Sequence, residues 1–117
     1  REFRRINWLI GLEYNSKLDQ IKNFTNSLSH FIENSKDFTV NDNFKSFIRL
    51  DKFNDSSIDI LVYCFTSTND WEEYLFIKEK LAIFIKEKVE ETNLNFAFPS
   101  QSVYIENVEN KINEKTS

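Results

Sequence analysis

Along this chain the apolar residues switch back and forth between every second position and the three-to-four spacing of a helix. From Arg5 to Tyr14 they alternate. Ile6, Trp8, Ile10, Leu12 and Tyr14 share one face and Asn7, Leu9, Gly11 and Glu13 the other, which predicts a half-buried strand. Gly11, the only glycine, lies inside it and predicts a bulge or a close approach of another backbone. Asn15-Ser16 then offers an N-cap. Leu18, Ile21, Phe24, Leu28, Phe31 and Ile32 fall within roughly 140° of a helical wheel, predicting an amphipathic helix from Ser16 to Asn34. Ser35 to Asn43 is polar and reads as a loop.

Alternation returns from Phe44 to Phe53, with Phe44, Ile48 and Leu50 on one side. Lys52 to Ser57 is turn-like, and Ile58, Ile60, Val62 and Cys64 then alternate with Asp59, Leu61, Tyr63 and Phe65, so the two runs predict a hairpin. Asp70 with Glu73 forms a capping box for a second helix, whose stripe is Trp71, Tyr74, Leu75, Ile77, Leu81, Phe84, Ile85 and Val89. Asn93 to Asn95 ends that helix. Pro99, the only proline, forces an extended exit towards a short strand from Ser102 to Ile105. The order strand, helix, strand, strand, helix, strand predicts an α+β fold, the ferredoxin-like β-α-β-β-α-β arrangement. Its antiparallel sheet would carry two helices on one face. Residues 1–5 read as a junction, 6–105 as the domain and 106–117 as a polar, flexible tail.

The length of 117 residues suits one domain with a real core, to which twelve phenylalanines contribute. With no methionine and Arg1 at its start, the chain is expected to be an excised piece of a longer protein. It contains no apolar run of the ~20 residues needed to span a bilayer. A net charge of −4 disfavours a generic nucleic-acid binder. Cys64 is the only cysteine, which excludes an intrachain disulfide.

Three segments carry a family resemblance. Arg4-Arg5-Ile6 through Ile10-Gly11-Leu12-Glu13-Tyr14 resembles an Arg-Arg strand ending in Gly-hydrophobic-x-Tyr. Asn54-Asp55-Ser56-Ser57-Ile58-Asp59-Ile60 resembles an Asp-Ser-Ser turn leading into an alternating strand, and Phe98-Pro99-Ser100-Gln101-Ser102-Val103-Tyr104-Ile105 a Phe-Pro-x-x-x-Val-Tyr-hydrophobic exit. In this order and spacing they are similar to the cytoplasmic C-terminal domain of small-conductance mechanosensitive (MscS-like) channels. The resemblance implies a non-catalytic assembly domain, with membrane helices and a small β domain upstream. It also implies identical subunits, usually seven, forming a hollow cage on the cytoplasmic side of the inner membrane. Such a cage would filter solutes for a tension-gated pore, and no cofactor is implied.

Little in the chain suggests catalysis. His30 lies opposite the apolar stripe and has no second His or partner Cys to complete a zinc set. Cys64 falls on an apolar strand face, where a thiol is inert. The pairs Glu72-Glu73 and Glu90-Glu91 diverge by about 100° on a helix and cannot converge on one substrate. The stronger signal is the sheet face turned away from the helices, where Leu61, Tyr63, Phe65, Phe47 and Leu9 would form an apolar patch. Phe76 is a second misfit, off the stripe of its helix. The expected subunit contacts are Leu61, Tyr63, Phe65, Phe76, Phe98, Pro99, Val103 and Tyr104, with Arg4 and Arg5 at the junction with an upstream domain. The alternative is a stand-alone ferredoxin-like interaction or small-ligand module that dimerises through the open sheet face. RNA binding ranks third, because Glu13, Asp51 and Asp59 share the outward parity.

Overall fold

The computed structural model describes residues 3–97. Its elements are β1 (Arg5–Glu13), α1 (Leu18–Glu33), β2 (Phe38–Thr39), β3 (Phe47–Phe53), β4 (Ser57–Thr66) and α2 (Trp71–Glu91). β4 lies at the centre of an antiparallel sheet. β1 pairs with it along one edge in an unbroken register from Arg5–Phe65 to Glu13–Ser57. β3 and then β2 share its other edge. The outer edge of β1 receives the chain leaving α2, where Leu12 bridges Phe96 antiparallel. There Glu13 N–H donates to Asn95 O (3.0 Å) and Ala97 N–H to Gly11 O (2.9 Å). This is the predicted α+β arrangement, and the chain after α2 is held to β1 at Asn95, Phe96 and Ala97. The expected strand from Ser102 to Ile105 lies outside the described residues.

One sheet face and both helices make the core. Ile6, Leu12, Ile58, Ile60, Val62 and Cys64 meet Ile21, Phe24, Leu28 and Ile32 of α1 and Ile77, Leu81, Ile85 and Val89 of α2. Phe31 and Phe84 stack at 4.1 Å and join the two helices. Leu18, predicted in the stripe, is 63% exposed because it stands in the first turn, before α1 reaches the sheet. Trp71 and Leu75 are likewise exposed at the start of α2.

Local chemistry sets the ends of the helices. The N-cap of α1 is Lys17, whose N–H donates to Gln20 Oε1 (3.1 Å), and not Asn15 or Ser16. Ser16 closes the preceding turn by donating to Glu13 O (2.6 Å). α2 starts at the predicted N-cap, with Asp70 accepting from Glu73 N–H (2.9 Å), but the predicted box is only half made, since Asp70 N–H donates to Thr68 Oγ1 (3.0 Å) and not to Glu73. It ends in a Schellman turn. Asn93 takes the left-handed conformation at φ 61° and donates to Glu90 O, while Leu94 N–H donates to Val89 O.

The sheet departs from expectation at three points. Phe38–Thr39 forms a strand within the segment read as loop, because two residues carry no periodic signal. Phe44 does not share a face with Ile48. The strand begins only at Phe47, and Asn41 Oδ1 accepts from the N–H groups of Asn43 and Phe44 to turn the chain beforehand. Gly11 marks neither a bulge nor a tight approach. Its register is regular, and a Cβ there would sit 3.7 Å from Asp59 Oδ1, an ordinary contact. The register shift falls instead between Leu50 and Lys52.

Candidate association face

The sheet alternates, so each core residue of β4 is followed by one pointing away from the helices. Leu61, Tyr63 and Phe65 emerge in this way, and all three are half-buried. Tyr63 meets Phe65 edge-on at 5.6 Å and Phe47 at 5.9 Å. Phe65 meets Phe44 at 5.2 Å, and Phe44 meets Phe3 at 5.0 Å. The result is a ladder of five aromatic rings across the open face. Leu9 pairs directly with Leu61 and extends the apolar surface, 55% exposed. The turn before β3 shields only one end, through Phe44.

Charge frames the ladder. Arg5 lies 5.8 Å from the Tyr63 ring and Arg49 lies 5.8 Å from the Phe47 ring. Asp59, only 8% exposed, is held by Asn54 Nδ2 (2.5 Å) and Ser57 Oγ (3.1 Å). Its hydrogen bonds are thus made within the hairpin, and an approaching surface would not leave its carboxylate stranded.

A second apolar surface lies on the outer side of α2. Phe76 is 59% exposed and Ile83 52%, one above the other at i and i+7, with Leu75 beside them. Lys80 Nζ sits 4.9 Å over the Phe76 ring. Phe76 was legible as a misfit in the sequence. Ile83 was missed, although its seven-residue spacing from Phe76 is the signal that finds it. Phe98, Pro99, Val103 and Tyr104 lie outside the described residues.

The structure does not bring the candidate chemical groups together. Burial pushes the Cys64 thiol up to about 12 and keeps it neutral. His30 is exposed, with its Nδ1 3.2 Å from Asn34 Nδ2. Among the described residues no cluster of three or more His, Cys, Asp or Glu is arranged to hold a metal. No helix among them is long and apolar enough to cross a membrane.

The open sheet and paired helices define the class, an α+β domain of the split β-α-β kind. Residues 6–96 match the sequence profile of the family "Mechanosensitive ion channel MscS, C-terminal", and this chain belongs to that family. An uncharacterized MscS family protein of Aquifex aeolicus is 36% identical over 91% of this chain and 28% of its own length. The low conductance mechanosensitive channel YnaI of Escherichia coli is 30% identical over 90% of this chain and 30% of its own. The chain thus spans under a third of the length of these relatives. Among solved structures, closed-state MscS from Helicobacter pylori superposes with a TM-score of 0.60 at 19% identity, over 90% of this chain and 39% of that one. Arabidopsis thaliana MSL1 superposes at 0.70 with 12% identity, over 85% of this chain and 35% of the other. At these identities the superpositions speak for the fold.

Proposed function

We propose that this chain is the cytoplasmic assembly domain of a mechanosensitive channel, one subunit's share of a solute-filtering cage below a tension-gated pore. The observation that carries the reading is the pair of unlike apolar surfaces, the aromatic ladder on the open sheet face and Phe76–Ile83 on the outer side of α2. A closed ring of more than two identical subunits needs a head-to-tail interface in which two different patches meet. Here the two patches stand on different elements, one on the open sheet and one on α2, so that a patch of one copy can meet the other patch of the next. A self-complementary dimer would need only the sheet face and would leave Phe76 and Ile83 unexplained.

In this reading Leu61, Tyr63, Phe65 and Phe76 make subunit contacts, and Phe98, Pro99, Val103 and Tyr104 continue them past Ala97. Arg4 and Arg5 stand where β1 leaves an upstream domain. The excess of acidic residues, giving −4 overall, would bias cations towards the cage, within the ~8 Å reach of charge at physiological salt. The test is patch-clamp recording of the full-length protein in cells lacking other mechanosensitive channels. Pressure-gated current is expected, and a pressure-insensitive membrane would overturn the channel reading.

A further inference from the structure

At the end of the sheet where β1 begins, a cleft of about 430 Å³ opens against the first turn of α2. Arg4 and Lys78 are the basic groups that face into it, Arg5 lines it while its guanidinium leans towards Tyr63, and Asn69 and the Tyr74 hydroxyl complete the polar wall. In a chain with 19 acidic and 15 basic residues, this wall contains no carboxylate. Among the described residues none of the three cations has a carboxylate within salt-bridge distance. Asp70, the adjacent acid, is turned into its own helix as the N-cap.

The cleft is also held in shape. Arg4 is fixed through its backbone, whose carbonyl accepts from Thr66 N–H (2.8 Å) and whose N–H donates to Thr68 O (3.3 Å). Its Nε donates to Asn69 O (3.0 Å), and its guanidinium lies 5.0 Å from the Trp71 ring and 5.6 Å from the Tyr74 ring. Lys78 Nζ shares the Tyr74 ring, 5.2 Å from its centre. The tilted Trp71–Tyr74 pair, 5.5 Å apart, therefore forms a floor that orients cations. This also accounts for Trp71 being 56% exposed at the head of an otherwise apolar stripe.

We propose that this cleft binds a small, soluble, phosphate-bearing anion. The Arg4 guanidinium and the Lys78 ammonium supply donors matched to phosphate oxygens, while Arg5, whose guanidinium leans over Tyr63, stands at the rim. Their combined charge suits a multivalent anion better than a single carboxylate. The volume is that of a small-molecule site. The proposal stands independently of the ring reading.

The test is titration of the chain with sodium pyrophosphate, followed by calorimetry and by the Trp71 indole and Arg4 Nε–H NMR signals. Saturable binding that shifts both signals is expected, with Lys78→Gln weakening Kd about tenfold, the loss of one charge-assisted contact. Lys86→Gln, on the same helix but outside the cleft, removes the same charge and should leave Kd unchanged. Unmoved Trp71 and Arg4 signals, or equal weakening by both variants, would overturn the site. Pelleting with phosphatidylglycerol vesicles without any response to pyrophosphate would overturn the soluble ligand. Failure of the full-length protein to bind pyrophosphate would show the cleft filled by other parts of that protein and would equally overturn the proposal.

Discussion

The two faces of the sheet are built from the same strands and contrast at almost every position. On the helix side Ile6, Leu12, Ile60, Val62 and Cys64 are aliphatic or small and at most 1% exposed. On the open side Leu61, Tyr63, Phe65 and Phe47 are mostly aromatic and only partly covered, with arginines over two of the rings. Aliphatic side chains interdigitate with helices to core density, whereas aromatic rings cover a broad area with few rotatable bonds and suit a contact that forms later. One face therefore holds the fold, and under the proposed reading the other is left for association, so substitutions on the two should separate stability from assembly.

The largest expected effect is at Phe24, fully buried beneath the sheet. Phe24→Ala should lower unfolding free energy by about 3–5 kcal/mol in urea titration. Leu9→Ala, on the open face, should change it by no more than about 0.5 kcal/mol. Comparable losses at the two positions would erase the distinction between the faces. A smaller effect is expected where α2 turns back to β1. Asn93 holds φ 61°, so Asn93→Ala should cost about 1–2 kcal/mol, while Asn93→Gly should be neutral or slightly stabilising.

A last effect is confined to alkali. The pKa of the Cys64 thiol rises from 9.0 to about 12 in the folded chain, so the protonated form is favoured there. Its contribution is fully present below pH 9 and is lost as pH rises towards 12, where the unfolded chain ionises first. Cys64→Ala should remove that part of the alkaline decline in stability measured across this window. An unchanged decline would place its origin elsewhere.

The strands and helices that bury one full face were legible, because Ile6–Leu12, Ile58–Cys64 and the α1 stripe repeat their period over several turns or residue pairs. The outward parity of Leu61, Tyr63 and Phe65 followed from the same alternation. What escaped lacked repetition. β2 is only two residues long. Phe44 changes face because an Asn41 turn intervenes. Trp71 fits the helical stripe by spacing yet precedes the part of α2 that reaches the sheet, where it meets Arg4 instead. The cleft around Arg4, Arg5 and Lys78 joins residues more than sixty positions apart, a proximity that no local pattern encodes.

The central claim, that the open face is an assembly surface, is tested most directly by native mass spectrometry of the full-length protein. The comparison is wild type against Leu9→Glu combined with Phe47→Lys, two exposed positions on that face. The account predicts a closed multi-subunit ring for wild type. For the variant it predicts smaller species, with circular dichroism and urea midpoint close to wild type. A variant that keeps its fold and assembles to the wild-type mass would contradict it.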